Sequence, residues 1–476
     1  MLLAPIILLW SFSGLVMMYV PFPQLSPQER ISLLPEIRSV ECCSAFFYEQ
    51  ILPLDVSSVA IERLNNDTVI KVTDTSRQTT LFSLNRQQRL VDIDIQQASK
   101  IAQTATNLSI NNIELIDTDQ WTIYSTFNPL RPLYKVSFTD DEGMQLYVSS
   151  KTGEIIQQTT AFQRQWNWVG TVSHWLYFTD LRQHTQIWFW LVVGLALASL
   201  ALVISGTWMG IQSLLNSKAG ASLPYSGVSW LHYWGGVTLS ALLFSFLFSG
   251  VVAMNPWGLL NYKQINTHEA IGKNLERSDV INSLQQVSEF IEQQRGILNL
   301  TMTPWNNKPY WFVSYVNSTD SKSDAVKPFD KGPHLERFNQ NFVRSDIPLH
   351  ELQRVGERLA TNQGLKQTLM HTEDRYYYAF KKPVELPIWK IDRENEGELE
   401  TLYISPTTGK VVKTVTEATR LNRWLFNAIH RWDFSSTVRH SSVWPWLLTP
   451  LLLILIVFSV SGFYLALRRV KTIIAK

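Results

Sequence analysis

The sequence predicts an α+β membrane protein with four transmembrane helices in two tandem repeats. Each repeat is expected to carry an extracytoplasmic domain in which a helix packs on a small antiparallel sheet. Three observations lead there. The stretches Met1–Pro21, Ile187–Ile211, Tyr233–Trp257 and Val443–Leu467 contain no Lys, Arg, Asp or Glu. The segments between them are polar, with apolar residues at helical and alternating spacing. The second half also repeats the first: LYVSSKTGEII at 146–156 returns as LYISPTTGKVV at 402–412, an offset of 256 residues.

In chain order, residues 1–21 read as the first transmembrane helix, 22–165 as the first outer domain and 166–186 as an interfacial segment. Residues 187–211 are the second helix, 212–229 a cytoplasmic loop and 230–257 the third helix. Residues 258–420 form the second outer domain, 421–442 a second interfacial segment, 443–467 the fourth helix and 468–476 a cytoplasmic tail. Each apolar stretch can cross a hydrocarbon layer of about 30 Å at 1.5 Å per residue. Trp188, Trp190, Trp230, Trp234, Trp257, Trp444 and Trp446 mark the ends, as interfacial aromatics do. Lys218 is the one charge between the second and third stretches, and Arg468, Arg469, Lys471 and Lys476 follow the fourth. Positive residues beside spans favour the cytoplasm, which puts both long segments outside. No positive residue precedes the first stretch, so it reads as a retained helix with a truncated start rather than a signal peptide.

All four stretches carry a Ser-Gly pair: Ser13-Gly14, Ser205-Gly206, Ser249-Gly250 and Ser461-Gly462. Small residues let a second helix, or a flat cofactor, approach a helix backbone. In the outer segments, Ile95, Ala98, Ile101, Ala102 and Ala105 have helical spacing, as do Leu352, Val355 and Leu359. Alternating strands follow at 134–138 and 144–149, and again at 389–391 and 401–405. Earlier hairpins are expected at 59–72 around Asn65-Asn66 and at 298–316 around Asn306-Asn307.

Composition narrows the chemistry. The net charge is +2, with no basic tract, so nucleic-acid binding is unsupported. The two cysteines, Cys42 and Cys43, are adjacent, which leaves no CxxCH for covalent haem and no CxxC redox motif. They read as small, partly buried residues without a role. There is no Gly-rich phosphate loop, no Gx-Ser-xG and no HExxH.

The histidines stand out. Residues 174–184 read HWLYFTDLRQH and residues 430–440 read HRWDFSSTVRH. Both frames are His-x9-His, and both precede an apolar stretch. A duplication must preserve core and turn residues, but it need not preserve four polar histidines at a membrane edge. His174, His184, His430 and His440 are therefore candidate ligands. His232, which opens the third stretch, is a fifth. For any one of them alone, a hydrogen-bonded interfacial histidine is the commoner outcome. Zinc is disfavoured, since a structural zinc site usually brings cysteine or close i,i+4 spacing. Arg182 and Arg439 flank the second histidine of each pair and could hold carboxylates or snorkel to headgroups.

These features resemble the PepSY-associated transmembrane family. The runs KTGEII and TTGKVV resemble the end of a PepSY domain, and QASKIA at 97–102 resembles its helix. HWLYF and HRWDF before a span, and HYWGG at 232–236, resemble the family's membrane signatures. The resemblance covers nearly the whole chain; each motif is weak alone, and their ordered set is specific. One departure stands: aligning the first stretch on the third places the histidine matching His232 before Met1.

The resemblance implies an enzyme of the bacterial inner (plasma) membrane, with two large periplasmic domains. It would bind one or two b haems and reduce ferric siderophores, drawing on a cytosolic or quinol donor. An outer haem would take its axial ligands from His174, His184, His430 and His440, as 174 with 430, 184 with 440, or crossed pairs. His232 would serve an inner haem. Arg182 and Arg439 would meet haem propionates, and Trp175 and Trp432 would anchor at the interface. The rival is a non-enzymatic PepSY membrane protein that binds peptides or restrains a protease at the outer face. A coupled transporter is disfavoured by the absence of an intramembrane carboxylate or lysine.

Overall fold

Apolar length and helix breakers together set the membrane part. The computed structural model describes residues 3–40, 43–76, 78–90, 92–216, 225–261, 271–272, 275–316, 334–359, 365–378, 384–395, 397–436, 438 and 443–475. The main helices are α1 (Ala4–Tyr19), α2 (Ile95–Thr106), α3 (Thr185–Asn216), α4 (Val228–Met254), α5 (Leu349–Leu359) and α6 (Val443–Ile474). Three of these, α3, α4 and α6, are long and apolar enough to cross a membrane, at 32, 27 and 32 residues. The protein is accordingly a multi-pass membrane protein.

The expectation of four transmembrane helices in two repeats is corrected. The stretch Met1–Pro21 yields a helix of 16 residues, about 24 Å long and short of a ~30 Å hydrocarbon layer. Its end has a local cause. Val20 is extended (φ −119°, ψ 95°), because the ring of a following proline disfavours helix one residue earlier. α1 packs along α6, and α4 lies between α3 and α6. Ile7, Leu243, Leu247, Leu452 and Leu455 form the buried seam. Small residues bring the backbones close: a Cβ at Gly210 would sit 3.1 Å from Val237, and one at Gly235 would sit 2.6 Å from Phe458.

The second correction concerns the outer part. In place of one PepSY-like helix-plus-sheet domain per half, there are three open sheets, one of them shared. β1 (Val56–Leu64), β2 (Asp67–Asp74), β3 (Thr79–Ser83) and β4 (Gln88–Leu90) come from the first segment. β5 (Ile110–Ile116), β6 (Leu133–Phe138), β7 (Gln145–Ser149) and β8 (Ile155–Thr159) follow. β9 (Ile297–Trp305), β10 (Lys308–Tyr315) and β11 (His334–Asn339) come from the second segment, then β12 (Lys366–Met370), β13 (Ile388–Asn395), β14 (Glu398–Ile404) and β15 (Val411–Val415). The seven-stranded sheet runs β11-β10-β9-β1-β2-β3-β4. Its central seam pairs Val59 with Met302 and Ile61 with Leu300, antiparallel. Two separate sheets would each expose a row of unpaired N–H and C=O groups at that edge, and joining them satisfies both rows. Ile61, Ile70, Val72, Leu300, Met302 and Trp311 share one buried core. Each such aliphatic side chain contributes about 1.5–3 kcal/mol of burial. Because α3 and α4 intervene between the two segments, the shared sheet requires an even number of crossings between them, which these two helices supply.

Both hairpins turn on the expected Asn pairs, with φ of 58° at Asn65 and 53° and 59° at Asn306 and Asn307. The two four-stranded sheets run β5-β6-β7-β8 and β12-β13-β14-β15. α2 lays Ala98, Ile101 and Ala102 on Val136, Leu146 and Val148. α5 lays Leu352, Val355 and Leu359 on Trp389, Ile391 and Leu402. Each small sheet touches the large one through its Thr-Gly turn. Gly153 (φ +68°) faces Leu64, and Gly409 (φ +70°) faces Trp305. A charge cluster reinforces the first junction. Lys71, 5% exposed, bridges Glu62 and Glu154, and Arg30 reaches Glu154 at 3.0 Å. Cys43 is disulfide-bonded rather than a thiol; Cys42 lies outside the described residues.

Candidate functional site

The two histidine segments follow one path. Thr160 caps the helix Ala161–Asn167 with a reciprocal side-chain box, and Thr416 caps Glu417–Asn422 likewise. Each helix loosens into a wider turn, Trp168–Val172 and Arg423–Ala428, then ends in a short helix, Ser173–Trp175 and Ile429–Arg431. The stop is a left-handed residue in both, Leu176 (φ 51°) and Trp432 (φ 54°). The carbonyls left over at these ends receive indole N–H groups from the first turns of the spans. Trp188 donates to Trp175 O at 2.7 Å, and Trp444 donates to Arg431 O at 2.8 Å. From α1, Trp10 donates to His174 O at 2.9 Å.

This scaffold brings His174 and His430 together. Their ring centres lie 6.2 Å apart, with the planes at 72°. Each Nδ1 meets a serine on a neighbouring helix: His174 with Ser13 Oγ at 2.9 Å, His430 with Ser249 Oγ at 2.9 Å. Both serines also donate to carbonyls of their own helix, Ser13 to Trp10 O at 3.3 Å and Ser249 to Ser245 O at 2.6 Å. A hydroxyl whose proton is so engaged accepts from the imidazole. That assigns the proton to Nδ1 and leaves the Nε2 lone pair as the donor on each ring. Desolvation pushes the His174 imidazole down to about 4. It pushes His430 to about 3, with His174 and Arg431 adding to the effect. Both rings are therefore neutral near pH 7, the form that binds metals. Phe246 and Phe426 flank the His430 ring, with centres 5.7 and 5.1 Å away.

His232 repeats the arrangement near the other end of the bundle. Its Nδ1 meets Ser461 Oγ at 3.0 Å, and that serine donates to Phe458 O at 2.6 Å. The ring stacks on Phe458, with centres 4.8 Å apart and planes at 8°. Gly462 makes room for it, since a Cβ there would stand 2.8 Å from His232 Cε1. His232 lines a cavity of about 590 Å³ between α1, α3, α4 and α6. Along α4, His232 and Ser249 are about 26 Å apart at 1.5 Å per residue. The protein thus presents imidazoles at two depths.

The other candidates sit apart from the pair. His184 is exposed at the C-terminal end of the short helix Thr179–Gln183. Arg182 stacks over Trp188 at 4.5 Å and bonds Thr185 Oγ1 at 3.0 Å. Arg439 and His440 lie outside the described residues. Among the described residues, no group of three or more His, Cys, Asp or Glu converges on a point. His174 and His430 are the two imidazoles that the fold brings together.

The serines were missed by sequence reasoning, which took Ser-Gly as a packing feature. Three of the four pairs place the serine on a histidine Nδ1; a Cβ at Gly14 or Gly462 would lie 3.8 or 2.8 Å from the histidine Cε1, whereas one at Gly250 would meet nothing within 4 Å. Each contact joins residues at least 161 positions apart, so spacing offered no signal for it. No family model matches the chain, and no curated protein is significantly similar to it.

Proposed function

We propose that the protein is a b-type haem oxidoreductase of the bacterial plasma membrane that passes electrons outward to reduce a ferric siderophore. The facing pair His174–His430 carries this reading. Two metal–imidazole bonds of about 2 Å, plus about 1 Å from each ring centre to its Nε2, span about 6 Å. The observed separation of ring centres is 6.2 Å. A bound haem supplies a one-electron couple. His174 and His430 would be the residues that hold its iron, through the Nε2 atoms left free by their serine contacts. Ser13 and Ser249 would fix both tautomers and raise ligand basicity, as partners of metal-bound histidine do.

The siderophore and the cytosolic or quinol donor rest on the family resemblance. Arg468, Arg469 and Lys471 at the end of α6 favour that end as the cytoplasmic one. The same argument puts the three sheets outside, where a ferric chelate would be met.

The test is a reduced-minus-oxidised visible spectrum of detergent-purified protein, with haem quantified per chain, for wild type, His174→Ala and His430→Ala. Sharp b-type bands that weaken in both variants are expected. A colourless wild type after expression with haem supplied would overturn the proposal and leave the peptide-binding alternative.

A further inference from the structure

We infer that Arg423 holds a carboxylate of the ligand that His430 binds, which on the haem reading is a propionate. The inference rests on that reading and adds a residue that it does not use. It also moves the carboxylate contact away from Arg182 and Arg439.

The two repeats differ around their histidines. At the shared offset of 256 residues, Asn167, Trp175 and Tyr177 of the first correspond to Arg423, Arg431 and Asp433 of the second. Arg423 is 3% exposed and Asp433 1%. Arg423 Nε donates to Arg375 O at 3.0 Å, and its Nη2 lies 3.5 Å from Asp433 Oδ1. The guanidinium stands over the Tyr378 and Trp424 rings, 4.9 and 5.1 Å from their centres. The remaining nitrogen, Nη1, is buried and has no hydrogen-bond partner.

A buried guanidinium N–H without an acceptor is costly to a folded protein. A carboxylate supplies that acceptor, and its geometry matches a guanidinium. The cluster adjoins the histidine. Arg431, more open to solvent, stands over the Phe426 ring at 5.4 Å, and that ring stacks on His430 with centres 5.1 Å apart. Two guanidiniums face one carboxylate here, so a second carboxylate would balance the charge.

The first repeat offers no such place. Asn167 is fully buried, and its Nδ2 donates to Pro21 O at 3.0 Å and Gln163 O at 2.9 Å. Its Oδ1 is the atom left without a partner. An ionised carboxylate only accepts, so that oxygen would repel it. Arg182 is the rival, because its Nε also lacks a partner. Its guanidinium, however, lies over Trp188 and bonds Thr185 Oγ1, beyond the left-handed stop at Leu176.

The experiment compares haem with haem dimethyl ester, which has no free carboxylate. Each is reconstituted into full-length, detergent-purified protein, and its transfer to an excess of a haem-scavenging protein is timed. All variants carry His232→Ala, so that the outer pair alone is read. Replacing Arg423 by itself would leave Asp433 buried and unpaired. The test variant is therefore Arg423→Asn with Asp433→Tyr, the pair that the first repeat already carries. Should it fold poorly, Arg423→Lys is the second route, since one point charge on Asp433 cannot also replace the guanidinium fork. The parent should lose the ester about 10–100-fold faster than haem, the size of one charge-assisted hydrogen bond. The test variant should lose both at the same fast rate, and Arg182→Met should keep the discrimination. Equal rates in the parent, or discrimination kept in the test variant, would overturn the inference. Discrimination lost only in Arg182→Met would overturn it in favour of Arg182. A protein that takes up neither porphyrin would instead overturn the proposed function.

Discussion

Ser13→Ala isolates what the helix serines do. Ser13 is fully buried, accepts from His174 Nδ1–H and donates to Trp10 O. Truncation removes one of two acceptors near that N–H, because the Trp10 carbonyl remains beside it. The ring keeps its tautomer but loses part of its hold and its basicity. Losing the hydrogen-bond partner of a metal-bound histidine costs about 10–100-fold in metal affinity. The surviving carbonyl puts Ser13→Ala at the low end, about 10-fold or about 1.4 kcal/mol. If the proposed haem is bound, a less basic imidazole would stabilise ferric iron less, so its midpoint potential would rise. The assay is the rate of haem transfer to an excess of a haem-scavenging protein, together with a redox titration. Ser245→Ala, which removes a hydroxyl bonded to Leu242 O one turn away on α4, is the control. If Ser13→Ala matches wild type in both transfer rate and potential, the tautomer argument for all three serine–histidine contacts fails.

Other consequences are as direct. Gly462→Ala places a Cβ 2.8 Å from His232 Cε1, and overpacking of this kind costs about 1–3 kcal/mol, read as a lower unfolding temperature; if His232 holds a haem, haem per chain should fall as well. Burial pushes the Glu154 carboxyl up, but Lys71 and Arg30 more than reverse this and bring it to about 2. A depressed carboxylate stabilises the fold above its unfolded value and loses that contribution as pH falls toward the folded one. About 3 kcal/mol should therefore disappear between pH ~4.5 and ~2, and Glu154→Gln should remove that slope from acid-unfolding curves. Trp188→Phe deletes the indole bond to Trp175 O at a cost of about 1 kcal/mol, read as a lower unfolding temperature and faster haem loss. For topology, Asn112→Cys and Glu398→Cys should react with an impermeant thiol reagent from one side of the membrane, and Ser226→Cys from the other. Labelling of Asn112→Cys and Glu398→Cys from opposite sides would contradict the shared sheet.

What could be read beforehand was local. Charge-free length marked α3, α4 and α6, and the Asn-Asn and Thr-Gly turns fell where their left-handed residues allow them. α1 was overread because an apolar count ignores that Val20 must leave the helix before Pro21. The seven-stranded sheet was invisible for a different reason. Alternation fixes which face of β1 and β9 is buried, and says nothing about which edge strand from elsewhere will lie beside them. At the candidate site, spacing made His174 and His184 equivalent. Only the chain path separates them, because the left-handed stop at Leu176 leaves one ring facing His430 and carries the other to the surface. The serines escaped because a hydroxyl on one helix and an imidazole on a remote segment share no sequence pattern.

The pairing of β1 with β9 also sets a schedule for biosynthesis. About 230 residues separate the end of β1 from the start of β9, and two spans must enter the bilayer between them. At about 5–20 residues per second, ribosomal elongation takes on the order of 10–50 s to deliver the partner. Throughout that interval the β1 edge from Val59 to Glu62 stands finished on one side and unpaired on the other. A nascent chain in this state is open to capture by a second copy through the same strand, and slow insertion of α3 and α4 lengthens the window. Assembly yield is therefore coupled to the kinetics of membrane insertion, even though the strand at risk never enters the membrane.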